Sequence, residues 1–554
     1  MKRSLFIVFV LCLVLQLASC GTYKSLHNKP EIQKYTTTVP VITHKNGVAT
    51  YGNNFLLQNK QGLWEMYVEG DALQQGLING ALSQDLMLKQ EHLFLDKVKE
   101  IIPSKFQQYL LRHFLKWYNR KLYLNVPEEY KTEIYGLSQY VSHDYDYIAQ
   151  PYLRALYLHA AHDIGHALND LSLVGCTSFA SWGNNTQDGS LLVARNLDFY
   201  AGDEFAQNKI VSFVKSDRGF PFMSVTWGGM IGTLSGMNAE GLTVTLNSGK
   251  SDMPLIAKTP ISILAREILQ YASTIDEAIA IAKKREVFVS ESIMVGSAKD
   301  RKAVLMEVSP HKFGVFDVPN ATQLICSNHF QSEAYRDDKN NNEAIVNSHS
   351  QYRYNRMSQL LEQAGKIDPI KAAAIMRNTS GLNDSALGYG NEMAINQLLA
   401  HHSIIFKPEQ RQVWVSSNPY QLGAYVAYDL NEIFSKDHKG ISASIAVDSL
   451  LIPEDPFVNS QEFENYERYR INDKIIDAAI KNNTQLTADF IASYQQLNPD
   501  FWIVYYKAGV YNFNRGYYTA ARTEFEKALT KEITTLPDRQ KMEVYLKKIK
   551  KKLN

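Results

Sequence analysis

Val174-Gly175-Cys176-Thr177-Ser178-Phe179-Ala180, followed by Asp188-Gly189-Ser190-Leu191-Leu192-Val193-Ala194-Arg195-Asn196-Leu197-Asp198, is the stretch around which the chain is organised. Its first half is an apolar segment with one thiol directly after a glycine. Its second half alternates apolar and polar residues and delivers Arg195 and Asp198 at a strand end. Cys176 reads as a nucleophile. Cleavage of the Gly175-Cys176 bond would free an α-amino group that titrates at about pH 8. That amine can take the thiol's proton without a separate histidine, so one residue supplies nucleophile and base.

Two more stretches extend the pattern in order: Gly241-Leu242-Thr243-Val244-Thr245-Leu246-Asn247 and Ser327-Asn328-His329. Together with Gly175-Cys176-Thr177-Ser178 and Arg195-Asn196-x-Asp198, they resemble the N-terminal-nucleophile amide hydrolases. The branch they resemble is the acyl-coenzyme A:6-aminopenicillanic acid acyltransferase family, with bile salt (choloylglycine) hydrolases, penicillin V acylases and acid ceramidases as cousins. The resemblance covers roughly residues 60 to 430. It implies a four-layer α-β-β-α sandwich, self-cleavage at Gly175-Cys176, and a propeptide that stays bound as the smaller subunit. It also implies that Asp198 contacts the freed amine, that Asn247 and Asn328 form the oxyanion hole, and that Arg353 closes the site, with Arg356 as the alternate.

Each of these residues has a plainer reading. Arg195, whose fork of donors suits a substrate carbonyl or a thiolate, could instead form a surface ion pair with Asp198. Asn247 and Asn328 both sit at strand ends, where turn asparagines are common. A papain-type Cys-His pair using His329, His401 or His402 is the rival chemistry, but it leaves Arg195 and Asp198 without a role. Cys176 could also pair with Cys326, since an exported chain would keep only these two thiols once Cys12 and Cys20 are removed or modified.

That export is read from the N-terminus. Met1-Lys2-Arg3 and the apolar run Leu5 to Leu17 have the form of a secretory signal too short to span a bilayer. The end, Leu17-Ala18-Ser19-Cys20, resembles a bacterial lipobox. This implies lipidation of Cys20 and anchoring in the cell envelope, and the absence of an acidic residue just after it favours the outer membrane. The chain has 554 residues, of which 58 are Lys or Arg and 57 Asp or Glu, so no global field points to nucleic acid.

The expected organisation is a signal peptide over 1–19, a tether over 20–58 with room for a short strand, a helical propeptide region over 59–175, the catalytic domain over 176–450 and a helical extension over 451–554. A strand is expected at 64–70 and helices at 73–88 and 90–102. After Cys176, hairpins run to 247, helices lie at 259–271 and 274–284, and more strands lie at 291–297, 302–308, 312–317 and 322–327. Sheet, helices, sheet is an α+β order suited to a sandwich with outer helices. Helices at 353–365 and 368–377 and a flexible rim loop at 379–391 follow. In the tail, Tyr505, Gly509, Ala521, Phe525 and Ala528 have the spacing of a single tetratricopeptide-like unit, which must stack on something to bury its face.

His159, His162 and His166 share a helix face that could hold a metal, but no zinc motif accompanies them. Phe179, Trp182, Phe199, Tyr200, Phe205, Trp227 and Met230 could line an acyl pocket or be ordinary core. Base, nucleophile and oxyanion donors are all protein groups, so no metal or organic cofactor is expected. The function expected is a cysteine amidohydrolase or acyltransferase acting on small acylated amides, with hydrolysis favoured because an exported protein has poor access to acyl-coenzyme A. The alternative is a catalytically inactive lipid-anchored binding or assembly protein that meets a protein partner through its tail.

Overall fold

A computed structural model describes residues 21–161, 163, 174–199, 202–252 and 256–554. The expected signal and Cys20 lie outside the described residues. Within the stretch expected as a tether, β1 (Thr43–Lys45), β2 (Val48–Tyr51) and β3 (Asn54–Gln58) form an antiparallel meander. Where a tether with one short strand was expected, residues 43–58 thus hold three strands. Asn46 and Gly47 join β1 to β2 with φ of 50° and 79°, the two left-handed residues that a tight hairpin loop requires. Phe55, Leu56 and Leu57 are buried. β4 (Trp64–Gly70) pairs antiparallel with β3 and has the expected bounds.

Asp71 caps the next element, its carboxylate accepting from Gln74 N at 2.9 Å. α1 (Ala72–Ile101) is one helix where two were expected. Its irregularity lies at Ser83, with φ −106° and ψ 16°, whose hydroxyl donates to Asn79 O at 2.7 Å. Such back-bonding bends helices, and nothing near residue 89 breaks this one. α2 (Lys105–Tyr118), a single turn at Leu122–Asn125, α3 (Glu128–Leu137) and α4 (Pro151–His159) follow before Cys176. α1 and α3 touch backbone to backbone because glycines face each other. A Cβ on Gly76 would sit 2.0 Å from Glu133 O, and one on Gly136 2.7 Å from Leu73 O.

Next come β5 (Val174–Ser181), β6 (Leu192–Phe199), β7 (Ile210–Ser216), β8 (Phe222–Thr226), β9 (Ser235–Asn238), β10 (Leu242–Ser248), α5 (Ile261–Tyr271) and α6 (Ile275–Lys283). They are followed by β11 (Glu291–Ser297), β12 (Lys302–Val308), β13 (Phe313–Phe316), β14 (Gln323–Cys326), α7 (Ser350–Ala364), α8 (Pro369–Met376), β15 (His402–Lys407), β16 (Gln412–Ser416) and β17 (Tyr425–Asp429). The larger sheet runs β1-β2-β3-β4-β7-β8-β9-β10-β11-β12-β13, and the smaller runs β14-β5-β6-β15-β16-β17. Every pairing is antiparallel except β4 with β7.

Strand periodicity sorts side chains between the layers. Ala180, Val193 and Ile404 of the smaller sheet meet Phe213, Met223 and Leu305 of the larger. One residue out of phase, Phe179, Leu192 and Ala194 pack under Met357, Leu361 and Ala372 of α7 and α8. On the far side, Leu264, Ile268 and Ala278 of α5 and α6 cover Val244, Ile293 and Val304. The architecture is the expected α-β-β-α sandwich.

The tail is helical, as expected: α9 (Gln461–Asn482), α10 (Ala488–Leu497), α11 (Trp502–Asn514), α12 (Tyr518–Leu529) and α13 (Leu536–Leu553). Gly509 lets α11 and α12 close on Phe525, whose ring would lie 2.9 Å from a Cβ there. The bundle seats on the loop expected to be a flexible rim, and that expectation is corrected. Tyr389 N donates to Asn498 Oδ1 at 3.0 Å and Asn391 Nδ2 to Glu532 O at 3.1 Å. A Cβ on Gly388 would sit 2.3 Å from Phe501 N. Among the described residues no helix is long and apolar enough to cross a membrane.

Candidate active site

β14 ends at Cys326, opposite Ser178, so the first residues of β5 run past their neighbour on that side. A backbone N–H left there needs an acceptor. Asn328 supplies it: its Oδ1 accepts from Cys176 N at 3.0 Å. On the other side β6 pairs fully, with Gly175 opposite Asp198, Cys176 opposite Leu197 and Ser178 opposite Arg195. Alternation therefore turns Cys176, Ser178 and Arg195 toward the larger sheet, and Thr177, Asn196 and Asp198 toward α7 and α8.

Arg195 is fully buried. Its Nη2 donates to Cys176 Sγ at 3.4 Å and also to Leu246 O, while Nη1 donates to Ser235 Oγ at 2.7 Å. The surface ion pair with Asp198 does not form, because residues three apart on a strand point to opposite faces. Arg353 is the better placed of the two candidate arginines. Its Nη1 donates to Cys176 O and Thr177 Oγ1, each at 2.6 Å, and its Nη2 to Asn328 Oδ1 at 2.5 Å. Arg356 instead reaches Asn378, Gln359 and Asp384, away from Cys176.

The asparagines differ from expectation. Asn328 turns its oxygen to Cys176, and its Nδ2 donates to Ser248 O at 2.9 Å and Ser248 Oγ at 2.8 Å. Asn247 accepts from Ser178 Oγ at 3.0 Å and spends its Nδ2 on the carbonyls of Cys326 and Ser327, both at 3.3 Å. The expected pair of amide donors converging on Cys176 is thus corrected for the continuous chain. Asn247 lies one residue removed, holding Ser178 to the end of β14.

Cys176 and Cys326 are free buried thiols, which removes the disulfide alternative. Burial pushes the Cys176 thiol up, Arg195 and Arg353 draw it down, and Asp198 and Glu291 push it up again. Both Asp198 oxygens are buried without a hydrogen-bond partner among the described residues. Burial raises its carboxyl to about 7 against the pull of Arg353 and Arg195. The folded chain therefore holds this proton more tightly than the unfolded one. The associated stability is complete below the unfolded value of about 4 and is lost as pH rises through about 7. Asp198→Asn should remove that loss. In a Cys176→Ala background, urea denaturation should show the variant gaining on its parent between pH 4.5 and 7.5, by on the order of 2–4 kcal/mol. A difference independent of pH would contradict a buried, uncompensated carboxylate. Glu392 (raised to about 7) and Lys209 (lowered to about 7), both by burial, titrate in the same window, so the parent-minus-variant difference is the quantity to read.

None of the candidate histidine bases hydrogen-bonds Cys176. His329 Nδ1 lies 2.8 Å from Ser350 Oγ. His401 and His402 meet through their Nδ1 atoms at 2.8 Å, and His402 Nε2 lies 3.0 Å from Ser235 Oγ. Burial holds both well below the usual histidine range, so they are neutral. They form a buried polar chain, His401–His402–Ser235–Arg195–Cys176, which positions the arginine. Sequence reasoning weighed the histidines only as bases and passed over Ser235, whose signal was no more than a serine opening a strand. His159 uses both ring nitrogens, on Ala155 O at 2.8 Å and Ile231 N at 3.0 Å. His162 and His166 lie outside the described residues, and among the described residues no His, Cys, Asp or Glu cluster could hold a metal. Of the candidate pocket aromatics, Phe199, Phe205 and Trp227 gather beside His401, with Trp227 5.2 Å from Phe205 and 5.4 Å from His401. Phe179 packs under α7 and Trp182 against the inter-sheet core. Tyr200 lies outside the described residues.

Residues 184–419 match the family model for acyl-coenzyme A:6-aminopenicillanic acid acyl-transferase, the family that the ordered motifs resemble. The match includes Arg195, Asp198, Asn247, Asn328 and Arg353. Among curated proteins, the chain is 25% identical over 274 residues to an uncharacterised protein of Archaeoglobus fulgidus, covering 46% of this chain and 45% of that one. It is 23% identical over 275 residues to Protein dcd1B of Dictyostelium discoideum, covering 46% and 51%. The chain thus spans about half the length of the curated relatives it matches. Similar solved structures include a Caenorhabditis elegans N-acylethanolamine-hydrolyzing acid amidase ortholog, 18% identical, covering 42% of this chain and 93% of that one with a TM-score of 0.31. A mutant conjugated bile acid hydrolase from Clostridium perfringens is 16% identical, covers 49% and 96%, and has a TM-score of 0.32. Penicillin V acylase from Agrobacterium tumefaciens is 14% identical, covers 51% and 98%, and has a TM-score of 0.30.

Proposed function

We propose that the chain is an amide hydrolase of the N-terminal-nucleophile kind, matured by cleavage of its own Gly175-Cys176 bond. The observation that carries this reading is the convergence on one residue of Arg195 at its sulfur, Asn328 at its nitrogen and Arg353 at its carbonyl oxygen. In maturation, Cys176 Sγ attacks the Gly175 carbonyl carbon. The C–N bond breaks as the nitrogen gains a proton, leaving a thioester between Gly175 and the sulfur. Water hydrolyses that thioester and frees the Gly175 carboxylate, the thiol and the Cys176 amine.

In turnover the free amine takes the thiol's proton and the sulfur attacks the substrate carbonyl. Arg195 Nη2, already aimed at the sulfur, is the donor for the developing oxyanion. Asp198, paired across the ladder from Gly175, balances the new ammonium. The ammonium returns its proton to the leaving amine, and water resolves the acyl-enzyme. Arg353 and Asn328 hold Cys176 in register, and Asn247 holds Ser178.

The substrate class proposed is small acylated amides, with the two chains remaining associated after cleavage. The lipobox-like Leu17-Ala18-Ser19-Cys20 supports a further proposal, that Cys20 carries lipid and fixes the protein at the outer membrane of a bacterial envelope. The test is amine release from a series of N-acyl amides of graded chain length. Turnover of at least one length is expected, with an initial burst of amine equal to the enzyme present if deacylation is slow. A chain cleaved at 175–176 that releases amine from none of them would favour the non-catalytic binding protein.

A further inference from the structure

α2 presents an apolar face to solvent. On an ordinary surface helix the outward residues are polar, but here Phe106, Tyr109, Leu110 and Trp117 are 69%, 49%, 50% and 39% exposed. Their spacing of three, four and seven places them on one side. Phe114, at the border of this stripe and 6.0 Å from the Trp117 ring, and Leu115 and Tyr118, turned away from it, already pack on the helical core. The outward stripe is therefore surplus to what folding requires.

The charge around this stripe is one-sided. From Ile101 to Pro127 the chain carries Lys105, Arg112, Lys116, Arg120 and Lys121 and no Asp or Glu. None of the five forms an ion pair among the described residues, whereas the acids of the preceding turn, Asp96 and Glu100, are paired with Lys99 and Lys97. The guanidinium of Arg120 lies over Trp117 at 4.2 Å, and that of Arg112 lies between the rings of Tyr109 and Tyr147. Exposed aromatic and aliphatic side chains fringed by unpaired cations are the pattern of a helix lying in the interface of an anionic bilayer. The position of Gly21 agrees: a side chain there would meet Arg120 Cδ at 3.8 Å, so the residue after Cys20 lies beside the end of this helix.

We infer that α2 is a membrane-surface helix, seated on an anionic phospholipid bilayer through Phe106, Tyr109, Leu110 and Trp117 with its five cations at the headgroups. This reading is independent of the chemistry at Cys176. It gives the protein a second attachment beside any lipid on Cys20, and two signals are what stable anchoring takes.

The test is a polarity-sensitive fluorophore on Leu110→Cys of the full chain carrying Cys12→Ser and Cys20→Ser, with the same label on Glu543→Cys of α13 as control; Cys176 and Cys326 are buried and take little label. With vesicles of phosphatidylcholine and phosphatidylglycerol, the label at 110 should shift to the blue and be quenched by brominated lipid, while the label at 543 stays quenchable by aqueous iodide. Pure phosphatidylcholine should give less inserted label. Each of Lys105→Glu and Lys116→Glu should lower the insertion equilibrium at least about fivefold. The inference is overturned by vesicle-bound protein whose label at 110 stays in water, or by a blue shift that grows with protein concentration without lipid, which would assign the face to a second copy. Absence of any vesicle binding by the labelled chain would overturn it as well.

Discussion

Cys176→Ala should leave one uncut chain and lower amidase activity by a factor on the order of 10⁴ to 10⁶, the scale on which loss of a covalent nucleophile is felt. Two effects coincide in this variant. The sulfur that attacks Gly175 is gone, so no α-amino group appears at residue 176, and the sulfur that attacks substrate is gone with it. The fold should persist. The thiol is a small buried group in the apolar layer with Leu197 and Leu246, and its replacement by a methyl leaves the contacts of Asn328 and Arg353 to the backbone of residue 176 in place. Cys326→Ala is the matched control. That thiol donates to Ser327 O at 3.4 Å and also meets the hydroxyls of Ser292 and Ser178, and its loss should cost under about 2 kcal/mol of stability with cleavage and turnover intact.

Arg353→Lys should be the next most damaging change. The guanidinium reaches four acceptors at once, Cys176 O, Thr177 Oγ1, Asn328 Oδ1 and His349 Nδ1, and an ammonium cannot reproduce a planar fork. A lysine keeps a charge near Asp198 but leaves at least one buried acceptor unpaired, at about 1–3 kcal/mol for each group. Asn328 then loses one of the two donors that fix its oxygen, and Cys176 loses its register. We expect kcat/KM to fall about 10²- to 10³-fold, self-cleavage to slow in parallel, and KM to change little. Arg356→Lys separates position from charge. Its partners are Asn378, Gln359 and Asp384, none of which bonds residue 176, so it should cost stability on the order of 1 kcal/mol and leave turnover within about twofold. Equal kinetic losses in the two variants would mean that Arg353 acts through the stability of α7 rather than at Cys176.

Much of the fold was legible because strand periodicity is a direct record of which side is dry. The expected bounds of 64–70, 291–297 and 302–308 coincide with β4, β11 and β12. Helices α5 to α8 followed from apolar spacing. The first three strands were legible only as one short strand in a tether, because each is short and β3 alone carries an apolar run, Phe55-Leu56-Leu57. The informative signal there was Asn46-Gly47, a dipeptide whose two positive φ angles make a hairpin almost by themselves. The rim loop was misread for a related reason. Gly388 and Gly390 suggest freedom, whereas they are glycine because Phe501 and Tyr466 of the tail press against them.

At the site, Cys176, Arg195, Asn328 and Arg353 come together as the motif order implied. Asn247 falls a residue short, since strand alternation does not say which way a carboxamide turns its oxygen and nitrogen. The buried chain from His401 to Arg195 was hidden because its members come from three strands distant in sequence, β6, β9 and β15, and the connecting loop before them. Contacts of that kind are set by how the two sheets stack, which no local pattern encodes.

N-terminal sequencing together with intact mass of the purified wild-type protein is the most direct measurement. A fragment that begins Cys-Thr-Ser-Phe, with a partner chain ending at Gly175, is the result expected if Cys176 is at once the scissile residue and the nucleophile. A fully active amidase whose chain runs unbroken from residue 175 to residue 176 would contradict it.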